Sequence, residues 1–200
     1  MDTMDTMDTM DTMDTMDTTD IPSKSVSLLF KQHSTYDLKK DSTIAKTKNK
    51  KRVTTEHWAF GDEYYCANKQ LELLRSIRNN HKQDIAMEKL MLQEIKKKIS
   101  SYKQQDIHKK IWNEHEFVTI DIILEKMIEC ELKCHYCSNE MRVLYDIQRE
   151  ASQWSVDRID NDLGHNRTNF YLACLDCNVK RRRRSDTKYL LTKQMIIVKT

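Results

Sequence analysis

Two Cys-x-x-Cys pairs, Cys134-His-Tyr-Cys137 and Cys174-Leu-Asp-Cys177, stand 36 residues apart and constrain this chain more than any other feature. Each pair has the spacing of a tight turn that aims two thiolates at one ion, and zinc takes four such sulfurs tetrahedrally. A closed shell of four thiolates keeps no open position, so the expected role of the zinc is structural. Two other arrangements stay open at this level: His135 as one of the ligands, or redox-active thiol pairs. Hydrophobic residues make up only 38% of the chain, and small zinc modules gain on the order of 10 kcal/mol of apparent metal-binding energy toward folding. Cys66 and Cys130 fall outside the pattern and read as small buried apolar groups.

Paired thiols of this kind, with no signal peptide and no apolar span, point to a reducing compartment and away from a disulfide scaffold. The expectation is a soluble intracellular protein of the nucleus or cytoplasm, or one encoded by a virus or phage, with no membrane partner. The formal net charge is +3, yet residues 1–18 are six copies of Met-Asp-Thr, whose six Asp leave the remaining chain near +9. The basic runs Lys46–Arg52 and Lys180–Arg184 would attract a polyanion, with DNA preferred over RNA, because neutralised phosphates release counterions. A solvated face or a localisation signal is the bland reading of either run.

The organisation follows from pattern. The three-residue period of 1–20 fits neither helix nor strand and predicts disorder. Residues 21–55 read as a basic linker in which Val26, Leu28, Leu29 and Phe30 form a short docking segment. Residues 56–117 predict a helical region: Trp58, Phe60, Tyr64 and Tyr65 pack beneath a stretch free of Gly and Pro, Lys69 to Tyr102, where Ile85, Leu92, Ile95, Ile99 and Tyr102 form a stripe. Asn79-Asn80 marks a break in it. Glu88 interrupts the stripe, which favours an intramolecular helical hairpin over a coiled coil, hence a monomer or weak dimer. A further helix starts at the N-cap Thr119 and runs to about Cys130. Residues 118–190 form the zinc module, and 191–200 a tail.

Between the knuckles the order Asp157-Arg-Ile-Asp160, Gly164-His165 and Asn169, then Cys174-x-x-Cys177-Asn178 and a basic run, resembles the HNH endonuclease family, in particular its zinc-stapled members with a β-β-α metal core. The resemblance covers about residues 119–188. It implies an α+β fold: a small zinc-stapled β-β-α metal module, preceded here by an α-helical region and a disordered N-terminus. It also implies metal-dependent hydrolysis of DNA phosphodiesters.

Residue by residue, Trp154-Ser-Val-Asp157 reads as a strand with Val156 packed and the Asp157 carboxylate facing outward. Asn169 to Ala173 reads as its partner strand. A helix follows with Asp176 as N-cap and Asn178 in its first turn. That arrangement brings together Asp157 and Asn178, hard ligands suited to a catalytic Mg²⁺ or Mn²⁺. The resemblance gives Asn169 the role of the central, orienting asparagine. Its general-base position is occupied by Arg158, which cannot accept a proton at neutral pH and instead suits a phosphate contact. His165 is then the first choice for water activation and Asp160 the second. Lys180, Arg181, Arg182, Arg183 and Arg184 are expected on the exit helix, contacting phosphates without reading bases. Two further readings compete: a catalytically inactive zinc-stapled DNA/RNA-binding module, and a protein-interaction module that uses the helical stripe.

Overall fold

The computed structural model describes residues 28–30 and 50–197. The expected disorder of 1–20 and most of the 21–55 linker lie outside those residues. The stretch without Gly or Pro forms two helices, α1 (Ala67–Asn79) and α2 (Ile85–His108). The break falls at the Asn pair because Asn80 adopts a left-handed conformation, φ 55°, one of the few residue types that tolerates it. Asp84 then caps α2 by accepting from the Met87 N–H at 3.1 Å. Thr119 caps α3 (Ile120–Glu129) in the same way through the Ile122 N–H.

Most of the expected stripe on α2 is buried, with Leu92 and Ile99 packed against the core that holds Ile95 and Tyr102, but its first turn differs. Met87, Met91, Ile95 and Tyr102 point into the core, while Ile85 is 65% exposed. Glu88 is no interruption: it is buried between α1 and α2, where it accepts from Ser76 Oγ at 2.6 Å and the Gln83 N–H at 3.0 Å. A single hydrophobic core then runs from Leu71 and Leu74 of α1, through Ile123 and Met127 of α3, to Trp154, Leu172 and Tyr189. The helical region and the cysteine-bearing region therefore share one interior. Trp58, Phe60 and Tyr64 pack against it, as their clustering predicted.

Gln70 shows how tightly the two regions are joined. It is fully buried on α1, donates to the carbonyls of Tyr64 and Leu144, and accepts from the N–H groups of Val143 and Leu144, at 2.7 to 3.0 Å. All four amide bonding positions go to backbone that has no other regular partner. Gln70→Leu should therefore lower unfolding stability by on the order of 3 kcal/mol, read from urea denaturation, whereas an exposed change such as Gln93→Leu should be nearly silent.

The mixed α/β architecture is completed by a two-stranded antiparallel sheet, β2 (Trp154–Arg158) with β3 (Phe170–Cys174), in which Asp157 stands opposite Tyr171. Helices α4 (Leu175–Arg181) and α5 (Asp186–Gln194) follow directly. The expected tail is partly structured, since α5 runs into β4 (Met195–Ile197), which pairs antiparallel with β1 (Leu28–Phe30). The end of the expected linker is also docked: Arg52 donates to Glu94 Oε2 at 2.7 Å and lies 4.5 Å from the Tyr145 ring. It is anchored because a buried carboxylate and an aromatic face meet its guanidinium at once.

Candidate functional site

The four cysteines are delivered by two local devices. After α3, Glu131 and Leu132 both take positive φ, 50° and 53°, which turns the chain sharply into the first knuckle. The Cys134 carbonyl then accepts from the Ser138 N–H at 2.9 Å and closes the turn. On the other side Cys174 ends β3 and begins α4, with Cys177 in the helix's first turn. The four Sγ atoms all lie within 4.8 Å of one another.

Hydrogen bonding from Cys137 holds Cys134 well below the ordinary thiol range, while Cys134 above all pushes Cys174 and Cys177 well above it. Four thiolates at this spacing thus need a cation to coexist, and a closed S₄ set fits structural zinc. His135 is not part of the cluster; its ring stacks on Tyr171 at 3.7 Å, and burial lowers its pKa. Outside the cluster Cys130 is half-buried, but Cys66 is exposed, contrary to expectation, because it precedes α1 on the solvent side.

Asp157 does not face outward. It is 3% exposed, and its carboxylate is gripped by Arg181: Nε donates to Oδ2 at 2.6 Å and Nη2 to Oδ1 at 2.8 Å. Tyr136, inside the first knuckle, adds a third hydrogen bond to Oδ2 at 2.6 Å. Burial, followed by Asp157, pushes the Tyr136 phenol up; Asp157 holds the Arg181 guanidinium protonated against its own burial. The reason is geometric. Residues 155 and 157 share a sheet face, and α4 packs across it, so Asn178 and Arg181, one turn apart, reach neighbouring points of β2.

Asn178 donates its amide to Ser155 Oγ at 3.1 Å and to the Val156 carbonyl at 3.2 Å. The two expected metal ligands therefore flank the same strand, but no hydrogen bond joins them. As arranged they do not fit a divalent ion: Asp157 gives both oxygens to Arg181 and Tyr136, and Asn178 presents N–H groups to the strand.

The free edge of β2 is covered by the backbone at one point, where the Trp154 N–H donates to the Arg142 carbonyl at 3.0 Å, and by side chains beyond it. Trp154 O accepts from Lys98, Val156 N–H donates to the Tyr102 hydroxyl at 3.1 Å, Val156 O accepts from Asn178 and Arg158 O from Arg181. Lys98 also donates to Gln153 Oε1 at 3.0 Å, and burial, aided by Arg52, lowers its pKa to about 7. The edge that β3 leaves open is thus unavailable for pairing with another chain.

The loop between the strands is organised by Asn169. Its Nδ2 donates to the carbonyls of Asp160 and Gly164, at 2.9 and 3.0 Å, and its Oδ1 accepts from the Asp160 N–H at 2.9 Å. Arg158 turns back over the same loop, donating to the carbonyls of Asn161 and Leu163 at 3.1 and 3.0 Å. Asp160 caps a turn through the Asp162 N–H at 2.9 Å.

His165 is buried, and its Nδ1 lies 2.7 Å from Asp106 Oδ1, while its backbone N–H donates to Asp106 Oδ2, also at 2.7 Å. Its ring stacks on Tyr102 at 4.5 Å. Burial holds the imidazole pKa below its ordinary value despite Asp106. Among the described residues the buried side-chain polar atoms without a partner are Trp112 Nε1, Asn166 Oδ1 and Tyr189 OH. His165 Nε2 makes no hydrogen bond to another described residue, in a side chain that is 5% exposed. Asp106 carries no local sequence signal; only the fold brings it to His165 across 59 positions. Gly164 is required beside this pair, because a Cβ there would lie 2.8 Å from Ile111 O and 2.9 Å from Asp106 Oδ2.

The basic run is not one helical surface. Helix α4 ends at Arg181, and Arg182 takes φ 56°, so the cations diverge. Lys180 pairs with Asp176 at 2.8 Å and Arg183 with Asp162 at 2.5 Å, both on the surface. Arg184 donates to the Lys180 carbonyl at 2.9 Å and lies over the Tyr189 ring. Arg181, expected to contact phosphate, is instead 1% exposed and committed to Asp157. The exposed cations of the run are Lys180, Arg182, Arg183 and Arg184.

No family model, curated protein or solved structure matches the chain. Among the described residues no helix is long and apolar enough to cross a membrane. Fold and site together define a mixed α/β chain whose two-stranded sheet and following helix are stapled by a four-cysteine cluster suited to zinc.

Proposed function

We propose that the chain is an HNH-type endonuclease that hydrolyses DNA phosphodiester bonds. The observation that carries the reading is the sequence of elements β2, loop, β3 and α4 across the cysteine cluster, with Asp157, Asn169 and Asn178 respectively on the first strand, at the loop's end and on the helix. That is the order the resemblance requires. In this reading Asn169 holds the loop in one shape, and Arg158 with Arg182, Arg183 and Arg184 supplies positive charge for phosphates. His165 takes the proton of the attacking water at Nε2, with Asp106 fixing the Nδ1–H tautomer. Mg²⁺ or Mn²⁺ would supply charge stabilisation of the phosphoryl group only once Asp157 is freed from Arg181, since the paired carboxylate does not hold a divalent ion. The second reading is a catalytically inactive zinc-stapled DNA/RNA-binding module, and the buried Asp157–Arg181 ion pair favours it.

Supercoiled plasmid separates the two. The nuclease reading expects nicking with Mg²⁺ or Mn²⁺, none with EDTA, and none for Asp157→Ala. Salt-dependent DNA binding without nicking under any metal establishes the second reading. His165→Gln should slow nicking by on the order of 10²-fold or more with DNA affinity retained. If His165→Gln nicks normally and Asp160→Ala does not, water activation belongs to Asp160.

A further inference from the structure

Arg181 sits where a metal ion is expected. Four of its hydrogen bonds are made inside the protein: two to the Asp157 carboxylate at 2.6 and 2.8 Å, one to the Arg184 carbonyl at 2.7 Å and one to the Arg158 carbonyl. Asp157 Oδ1, Asp157 Oδ2 and Arg158 O thus converge on one guanidinium. These are hard oxygen donors of the kind that hold Mg²⁺ or Mn²⁺, yet they are organised around an organic cation that is 1% exposed. With Tyr136 also bonded to Oδ2, the carboxylate uses three of its roughly four lone-pair sites.

We propose that Arg181 is an internal counter-cation that competes with divalent metal for Asp157, so that Mg²⁺ or Mn²⁺ binds there only in exchange for the guanidinium. A second positive charge beside a buried guanidinium is strongly repelled, and both cannot use the same oxygens. The position of Arg181 makes an exchange mechanically feasible. It is the last residue of α4, and the following residue, Arg182, has already left helical geometry at φ 56°. Release would unwind one terminal turn and place Arg181 beside the exposed Arg182, Arg183 and Arg184, which enlarges the cationic surface as the carboxylate becomes free.

The inference rests on the proposed nuclease reading for its significance, but its readout is cation binding and not cleavage. Zinc-loaded protein is titrated with Mn²⁺, which prefers oxygen ligands to the thiolate site, and followed by thermal unfolding and by the paramagnetic signal of free Mn²⁺. The wild type should show no shift in Tm and the same free Mn²⁺ as Asp157→Asn. Arg181→Met should rise in Tm by roughly 5 °C at about a hundredfold excess over Kd, and the rise should vanish in Arg181→Met/Asp157→Asn. If Arg181→Met does not fold alone, Mn²⁺ should restore its folded fraction, and Arg181→Lys, which keeps the charge, should behave as the wild type does. Bound Mn²⁺ in the wild type that is lost in Asp157→Asn overturns the proposal, as does an Arg181→Met variant that Mn²⁺ neither stabilises nor rescues. A wild type that nicks plasmid yet holds Mn²⁺ on Asp157 at rest sinks the competition alone, whereas competition without nicking sinks the nuclease alone.

Discussion

Cys174→Ser should leave the protein without bound zinc and without a cooperative unfolding transition. Cys174 is the residue at which β3 becomes α4, and three of the four cysteines belong to the buried core, together with Tyr136, which lies inside the first knuckle. Without a cation the cluster is left with four sulfur groups within 4.8 Å, and the thiols must then carry protons and spread apart. Structural zinc contributes on the order of 10 kcal/mol in small modules, against a total stability of about 5–15 kcal/mol for a folded domain. Loss of one ligand therefore removes most of the stability margin. Metal analysis of purified protein should find about one zinc per chain in the wild type and little in the variant. Circular dichroism in the aromatic region should collapse with it, since Tyr136 and Tyr189 meet edge to face at 5.0 Å beside the cluster. Cys66→Ser, at an exposed thiol outside the cluster, should retain zinc and fold. A zinc-free, cooperatively folded Cys174→Ser protein would remove the staple from the account of this fold.

Most of what the sequence revealed about the site came from residues that act on their near neighbours. The cysteine cluster was legible because each pair closes its own turn, and β2 and β3 because apolar alternation and the knuckles bracket them. The break at Asn80, the caps at Thr119 and Asp84 and the loop-ordering position of Asn169 are likewise local chemistry, although Asp84 carried no mark in the reading of the chain. What stayed hidden depends on partners distant in sequence. Arg181 lies in a run of five cations that reads as a solvated or phosphate-facing surface, and nothing beside it in sequence announces Asp157, 24 positions away. Asp106 and Gln70 are similar: each looks like an ordinary exposed helix residue until the fold aims it at His165 or at the backbone of 143–144. In the first turns of α2, the methionines Met87 and Met91 are in the core where Ile85 was expected, a substitution that flexible Met side chains make easy between packed helices.

Asp157→Asn and Arg181→Met should each destabilise the protein severely, by about 3–5 kcal/mol, because each strands the other member of a buried pair. The wild-type pair is charge-balanced and bidentate, at 2.6 and 2.8 Å, with side chains 1% and 3% exposed. Asparagine at 157 keeps the shape and one acceptor oxygen but removes the charge and the second acceptor, so the buried guanidinium is left with neutral partners, the Arg158 and Arg184 carbonyls among them. Methionine at 181 fills the space but leaves the carboxylate with a single donor, Tyr136. The double variant has neither stranded charge. Its loss should therefore fall short of the sum of the two single losses by about 2 kcal/mol or more, read from denaturant midpoints in EDTA-free buffer with zinc present. An exposed pair gives the contrasting result. Lys180→Ala and Asp176→Ala remove a surface ion pair whose members are 58% and 39% exposed, and they should cost less than about 1 kcal/mol together. Strict additivity at Asp157 and Arg181 would mean that the two side chains do not share the buried bond that closes β2 against α4, and would undo both the ion pair and the cation competition built on it.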